Sequence, residues 1–200
     1  MRVITCSLAI LVLSAALFAQ TKQERAGIVN FTKVDAVVAC GGATETTALE
    51  GLAKDGFKSV INLRLATEPN ANIELNATRA KELGMKYIHI PFNTAQADPK
   101  VIEQALAAIA DKSNQPTYLH CGSANRVGSV WLAKRVLQDG WTIEKATEEA
   151  KLIGLRSEPL EKFALDYIAK HMKWKRERPG CDDNNRAAGP SLRRIILSAL

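Results

Sequence analysis

Cys121 and Arg126 enclose Gly122, Ser123, Ala124 and Asn125 in the segment TYLHCGSANRVG, and this spacing carries more chemistry than any other in the chain. A cysteine acts as a nucleophile through its thiolate. Small residues between the two let the backbone curl until successive N–H groups converge on one point. A helix beginning at the arginine adds partial positive charge at its amino end, and the guanidinium adds a planar, two-pronged cation. Such a loop holds an oxyanion over the sulfur. The same field is expected to draw the thiol pKa from about 8.5 toward the ~3.5 to 7.5 of cysteines at helix amino ends. Gly122, Ser123, Ala124 and Asn125 then bind the substrate, with His120 at the loop entrance.

For that geometry the cysteine must end a strand and the arginine must start a helix. Thr117 to His120 runs apolar into Cys121, and Val127, Val130, Trp131, Lys134 and Leu137 recur at helical steps, with Gly140 beyond them. Upstream, Val34 to Ala39 reads as a strand leading into Gly41 and Gly42, and Thr44 as the cap of a helix through Lys54. Lys58 to Leu63 is the next strand, with Arg64 at its carboxyl end. A helix from about Ile73 to Leu83, a strand from Lys86 to Pro91 and a helix capped by Asp98 and Pro99 follow. Thr142 to Ile153 and Pro159 to His171 are the last two helices. This alternation specifies an α/β fold: one three-layer domain over residues 27–171, a mainly parallel sheet flanked by helices. Ligands of such sheets sit at the carboxyl ends of strands, where Cys121 and Arg64 both fall. Arg64 reads equally as a second anion contact or a solvated strand end.

At 200 residues, 46% of them hydrophobic, the chain can build one core without a disulfide scaffold. Residues 1–19 have Arg2 as their only charge, an apolar run from Leu8 to Phe18, and small residues at Ala16 and Ala19, the layout of a secretory signal peptide. Export to a periplasmic or secreted location is expected, with no stable membrane insertion after cleavage. The mature chain then keeps Cys40, Cys121 and Cys181, an odd number, so at least one thiol stays unpaired. Cys40, near a strand end, either approaches Cys121 as a disulfide partner or is an inert thiol. The tail, residues 172–200, carries +4 of the net +6 and is expected to be disordered, while the body has no basic stripe for nucleic acid. His89, His120 and His171 have no second ligand at metal spacing, so neither metal nor cofactor is expected.

From about Phe31 to Lys170 the chain resembles the phosphatase-like domain of the beta-lactamase-hydrolase-like proteins, a branch of the cysteine-dependent dual-specificity phosphatases. The resemblance rests on CGGAT at Cys40 to Thr44, GFKSVINLR at Gly56 to Arg64, YIHIPF at Tyr87 to Phe92 and, above all, LHCGSANRVG at Leu119 to Gly128. It implies a tyrosine-phosphatase-like fold, a phosphorylated substrate, Cys121 as the nucleophile that forms a phosphocysteine, Arg126 as clamp of the phosphoryl oxygens, and His120 as a residue that positions the cysteine. The chain departs from active tyrosine phosphatases in three places. It has four rather than five residues between Cys121 and Arg126, it has Val127 where a hydroxyl usually follows the arginine, and its FNTAQADP loop offers Asp98, an N-cap by position, as the candidate general acid. A four-residue loop is also the size found in rhodanese-type sulfurtransferases, where the substrate is a sulfane sulfur and Cys121 would carry a persulfide. A module that senses an anion or an oxidant without turnover is the third reading.

Overall fold

A computed structural model describes residues 21–177; the expected signal peptide and the tail beyond Glu177 lie outside them. Six strands form one sheet: β1 (Thr21–Lys22), β2 (Thr32–Lys33), β3 (Val38–Gly41), β4 (Ser59–Asn62), β5 (Lys86–His89) and β6 (Thr117–His120). Their order is β1-β2-β3-β6-β4-β5. The pairs β3·β6, β6·β4 and β4·β5 are parallel, and the two-residue β1 and β2 extend one edge antiparallel. The last strand thus enters the middle of the sheet. Cys121, at its carboxyl end, is flanked by the loops that leave β3 and β4.

The helices are α1 (Ala48–Lys54), α2 (Ile73–Glu82), α3 (Pro99–Ala110), α4 (Asn125–Leu137), α5 (Ile143–Ile153) and α6 (Glu158–Glu177). Strand alternation divides them into two layers. Ile61, Leu119 and Cys121 point toward α3, α4, α5 and α6, whereas Ala39, Val60 and Tyr118 pack on α1 and α2. α3 forms as its sequence dictates: Asp98 accepts from Lys100 N at 2.9 Å, Pro99 opens the first turn, and Val101, Ile102, Ala105, Leu106 and Ile109 make the buried face. α4 is the central helix, buried from Val127 through Ala133.

Three boundaries move furthest from expectation. The strand expected over Val34 to Ala39 begins only at Val38 and runs to Gly41, because Asp35 Oδ1 accepts from Val37 N and Val38 N in a turn that precedes it. Thr44 does not cap α1. Its hydroxyl is buried, donating to Gly42 O and sharing a hydrogen with Tyr118 Oη at 2.8 Å, so α1 begins four residues later. α6 continues past His171 to Glu177 because nothing in that stretch breaks it; the next proline is Pro179.

Candidate active site

The loop after β6 is built by its neighbours. Cys121 N donates to Gly41 O at 3.3 Å, Ala43 N donates to Gly122 O at 2.8 Å, and the Asn30 side chain donates to Ser123 O at 3.3 Å. In a trans peptide the carbonyl and the following N–H point in opposite directions. Holding the Gly122 and Ser123 carbonyls outward therefore turns the Ser123 and Ala124 N–H groups toward the inside of the loop. Among the described residues, no group accepts from the backbone N–H of residues 122 through 127. The last three belong to the first turn of α4, where such donors have no intrahelical partner. The sharp bend is made by Ala124 at φ 69, a left-handed alanine at the N-cap. Gly42 lets β3's turn come this close: a Cβ there would meet Gly122 O at 3.2 Å.

Cys121, 1% exposed, lies at the floor of this loop, and Arg126 at its wall. Arg126 NH1 and NH2 grip Glu68 Oε1 and Oε2 at 2.6 and 2.9 Å, and NH1 also donates to Phe92 O at 3.0 Å. The terminal edge of the guanidinium is thus spent. Its lateral edge, Nε and the second hydrogen of NH2, has no carboxylate or carbonyl partner among the described residues. Burial pulls the Arg126 pKa down, but the Glu68 hydrogen bonds and the adjacent Cys121 side chain raise it overall.

Glu68 was not singled out from the sequence. Burial favours its neutral form, yet the bonds from Arg126, from Leu65 N at 2.8 Å and from Arg64 Nε at 3.1 Å bring its pKa down to about 2. The signal for it was topological: a carboxylate in the loop leaving the strand that neighbours the cysteine strand.

The other predicted residues separate into those that face the loop and those that do not. Arg64 is corrected on both readings. It is 6% exposed, not solvated, and it organises the Glu68 loop instead of facing the cradle, donating to Glu68, to Pro69 O at 2.5 Å and to Asn70 O at 3.0 Å. Asn125 uses its side chain away from the loop interior, accepting from Arg156 N and Ser157 N at 3.0 and 3.3 Å and so tying α4 to the approach of α6. His120 points to the face opposite Cys121, its ring stacked on Tyr118 with centroids 5.4 Å apart. Burial pushes its pKa down to about 4, so the ring is neutral. Cys40 and Cys121 are both free thiols, and burial, then Asp35, pushes Cys40 well above the usual thiol range.

A cavity of about 600 Å³ opens at the loop. Leu65, Phe92, Ala97, Leu160 and Phe163 give it apolar walls, Ser123 and Asn125 a polar rim, and Arg126 and Glu68 are its charged side chains. Asp98 is exposed and does not line it.

The family model described as DSP-PTPase phosphatase fused to NAD+ kinase matches residues 15–163, most of the chain. The chain belongs to this family. It is a protein-tyrosine/dual-specificity phosphatase-like hydrolase, as its cysteine loop implied. A comparison with curated proteins finds no match. Among solved structures, the DSP-PTPase domain is similar to the core catalytic domain of the PP-IP phosphatase SIW14 from S. cerevisiae, at 18% identity and a TM-score of 0.60, covering 74% of this chain and 90% of that one. It is also similar to the active form of Tk-PTP, at 19% identity and a TM-score of 0.59, covering 70% and 96%. TpbA of P. aeruginosa, in complex with pTyr, matches at 15% identity and a TM-score of 0.55, covering 70% and 83%. At these identities the likeness establishes the shared fold.

Proposed function

We propose that this DSP-PTPase domain hydrolyses phosphomonoesters through a phosphocysteine on Cys121. One observation carries the reading: a run of N–H groups with no acceptor among the described residues, and a lateral edge of Arg126 that none of their carboxylates or carbonyls takes, meet around one buried sulfur. In the first step the Cys121 sulfur attacks phosphorus, the bond from phosphorus to the ester oxygen breaks, and the oxygen departs with the electron pair. In the second, water attacks phosphorus, the P–S bond breaks, and phosphate and the thiolate are released. The N–H groups and Arg126 hold the phosphoryl oxygens through both steps, where charge builds up.

The apolar walls favour an aryl ester, and among the described residues no carboxylic acid able to give a proton lines the cavity, which limits the leaving group. Asp98 is spent as an N-cap, and Glu68, held ionised, has no proton to give at neutral pH. The buried Val127 supplies no hydroxyl to assist loss of the thiolate. A slow enzyme with good leaving groups is the expected result. Rates over a series of phosphate esters should fall steeply from p-nitrophenyl to alkyl leaving groups. A flat series would mean that a general acid operates. The four-residue loop keeps a rhodanese-like reaction as the second reading, which cyanide-labile persulfide formed on Cys121 from thiosulfate would establish in place of the first.

We also propose export after cleavage near Ala16 or Ala19, on the strength of the apolar run at residues 8–18 and its small-residue end. Mass spectrometry of the protein from its native host should find the shortened chain; an intact Met1 in a membrane fraction would contradict this.

A further inference from the structure

Among the described residues, Glu68 is the one carboxylate that lines the cavity, and Arg126 is the one cation. It is held rather than loosely placed. Arg64 Nε and Leu65 N anchor it from its own loop, and Arg126 takes both oxygens from the other side. Its side chain is 23% exposed, so solvent screens its charge only in part. It also stands at the rim of the cradle, since a Cβ on Gly122 would lie 3.4 Å from Glu68 Oε2.

A phosphoryl group seated on the 122–127 N–H groups therefore has a fixed negative charge beside it. The charge of Arg126 is already shared between that carboxylate and the bound anion. A second anionic group on the same ligand would meet Glu68 on one side and the apolar surfaces of Phe92, Leu160 and Phe163 on the other, and among the described residues no lysine or further arginine lines the cavity to receive it. Like charges held a few ångströms apart in a partly buried pocket oppose binding far more than they do in water.

Resting on the phosphatase reading of this loop, we infer that Glu68 is a specificity-determining residue whose carboxylate admits one phosphoryl group carried on an apolar body and rejects a second anionic group next to it. The substrates are then monophosphate esters of phenols and similar apolar alcohols, and diphosphates and clustered phosphates are excluded.

The test is a ratio of affinities, phenyl phosphate against pyrophosphate, measured by titration calorimetry at neutral pH on the full chain carrying Cys121→Ser, which does not depend on turnover. With Glu68 in place, phenyl phosphate should bind at least about tenfold more tightly, the scale of one modest charge repulsion. Adding Glu68→Gln should narrow that ratio by about tenfold, whatever it does to the affinities themselves, and Glu68→Asp, which keeps the charge, should preserve it. If Glu68→Gln weakens both ligands alike, or Glu68→Asp narrows the ratio as much as Gln does, Glu68 is only a support for Arg126 and the inference fails. The first measurement needs no Glu68 variant: tighter binding of pyrophosphate when Glu68 is present overturns the inference by itself. Hydrolysis of p-nitrophenyl phosphate by the wild-type chain reports separately on the phosphatase reading.

Discussion

Two arginines on α4, the partly buried Arg126 and the buried Arg135, both grip a glutamate with two bonds, yet they serve different ends. Arg135 spends its lateral edge on Glu149, at 2.6 and 2.9 Å, gives NH1 to Asp139 at 2.8 Å, and lies over the rings of Trp131 and Trp141 at 4.5 and 4.4 Å. It does not line the cavity at the loop. Arg126 spends only its terminal edge on Glu68 and keeps the lateral edge beside Cys121 and a cavity. Burial and an ion pair are common to structural and functional arginines. The distinction lies in which donors remain unspent and in what they face.

The widest separation should come in activity. Arg126→Lys keeps the charge but loses the fork, so it should lower kcat/KM for p-nitrophenyl phosphate by at least roughly a hundredfold, the worth of about two charge-assisted hydrogen bonds. Arg135→Leu should leave the turnover of folded molecules unchanged. Its cost falls on stability: the 3%-exposed Glu149 loses its cation, and urea midpoints should report a loss of about 3–5 kcal/mol. Replacing both Arg135 and Glu149 by apolar residues should recover much of that loss, whereas no second substitution at Glu68 should rescue Arg126→Lys.

Acid should reach the site end through His120. Its folded pKa, about 4, lies below the ordinary 6.5, so the unfolded chain binds the proton first. The stabilisation is complete above about 6.5 and is lost as pH falls through 4, roughly 3 kcal/mol in all. His120→Phe, which can still stack on Tyr118, should flatten that limb in urea titrations at pH 7 and 4. Glu68 adds a lower limb. Its stabilisation is present above about 4.5 and is lost toward 2, and it should vanish in Glu68→Gln.

The smallest effects belong to Asp98. Asp98→Asn should keep both activity and stability, because Asn caps as well as Asp, and Asp98→Ala should cost about 1 kcal/mol. A large fall in kcat for Asp98→Asn, with loss of the basic limb of the pH profile, would instead make Asp98 the general acid.

Much of the fold was legible because its signals are local. The apolar run into Cys121, the helical spacing from Val127 to Leu137 and the Asp98–Pro99 start all act within one or two turns of chain, and each element stands where these place it. The left-handed Ala124 escaped because alanine gives no sign of a positive φ; Gly122 was the more obvious place for a bend. Thr44 looked like a cap because no local pattern reveals that Tyr118 Oη, from another strand, will take its hydroxyl. The larger gap was Glu68. Its partner Arg126 is 58 residues away, and only the insertion of β6 between β3 and β4 brings the two together. Arg64 was misplaced for the same reason: its position at a strand end could be read, but the loop that consumes its donors could not.

Cys121 should become covalently phosphorylated within the cradle, and intact-protein mass spectrometry of enzyme quenched in acid during hydrolysis of p-nitrophenyl phosphate measures this directly. One added phosphoryl group should map to Cys121 and be missing from the Cys121→Ser chain, which should also be inactive. Undiminished turnover in Cys121→Ser, or turnover with no phosphoryl group on Cys121 at any quench time, would contradict it.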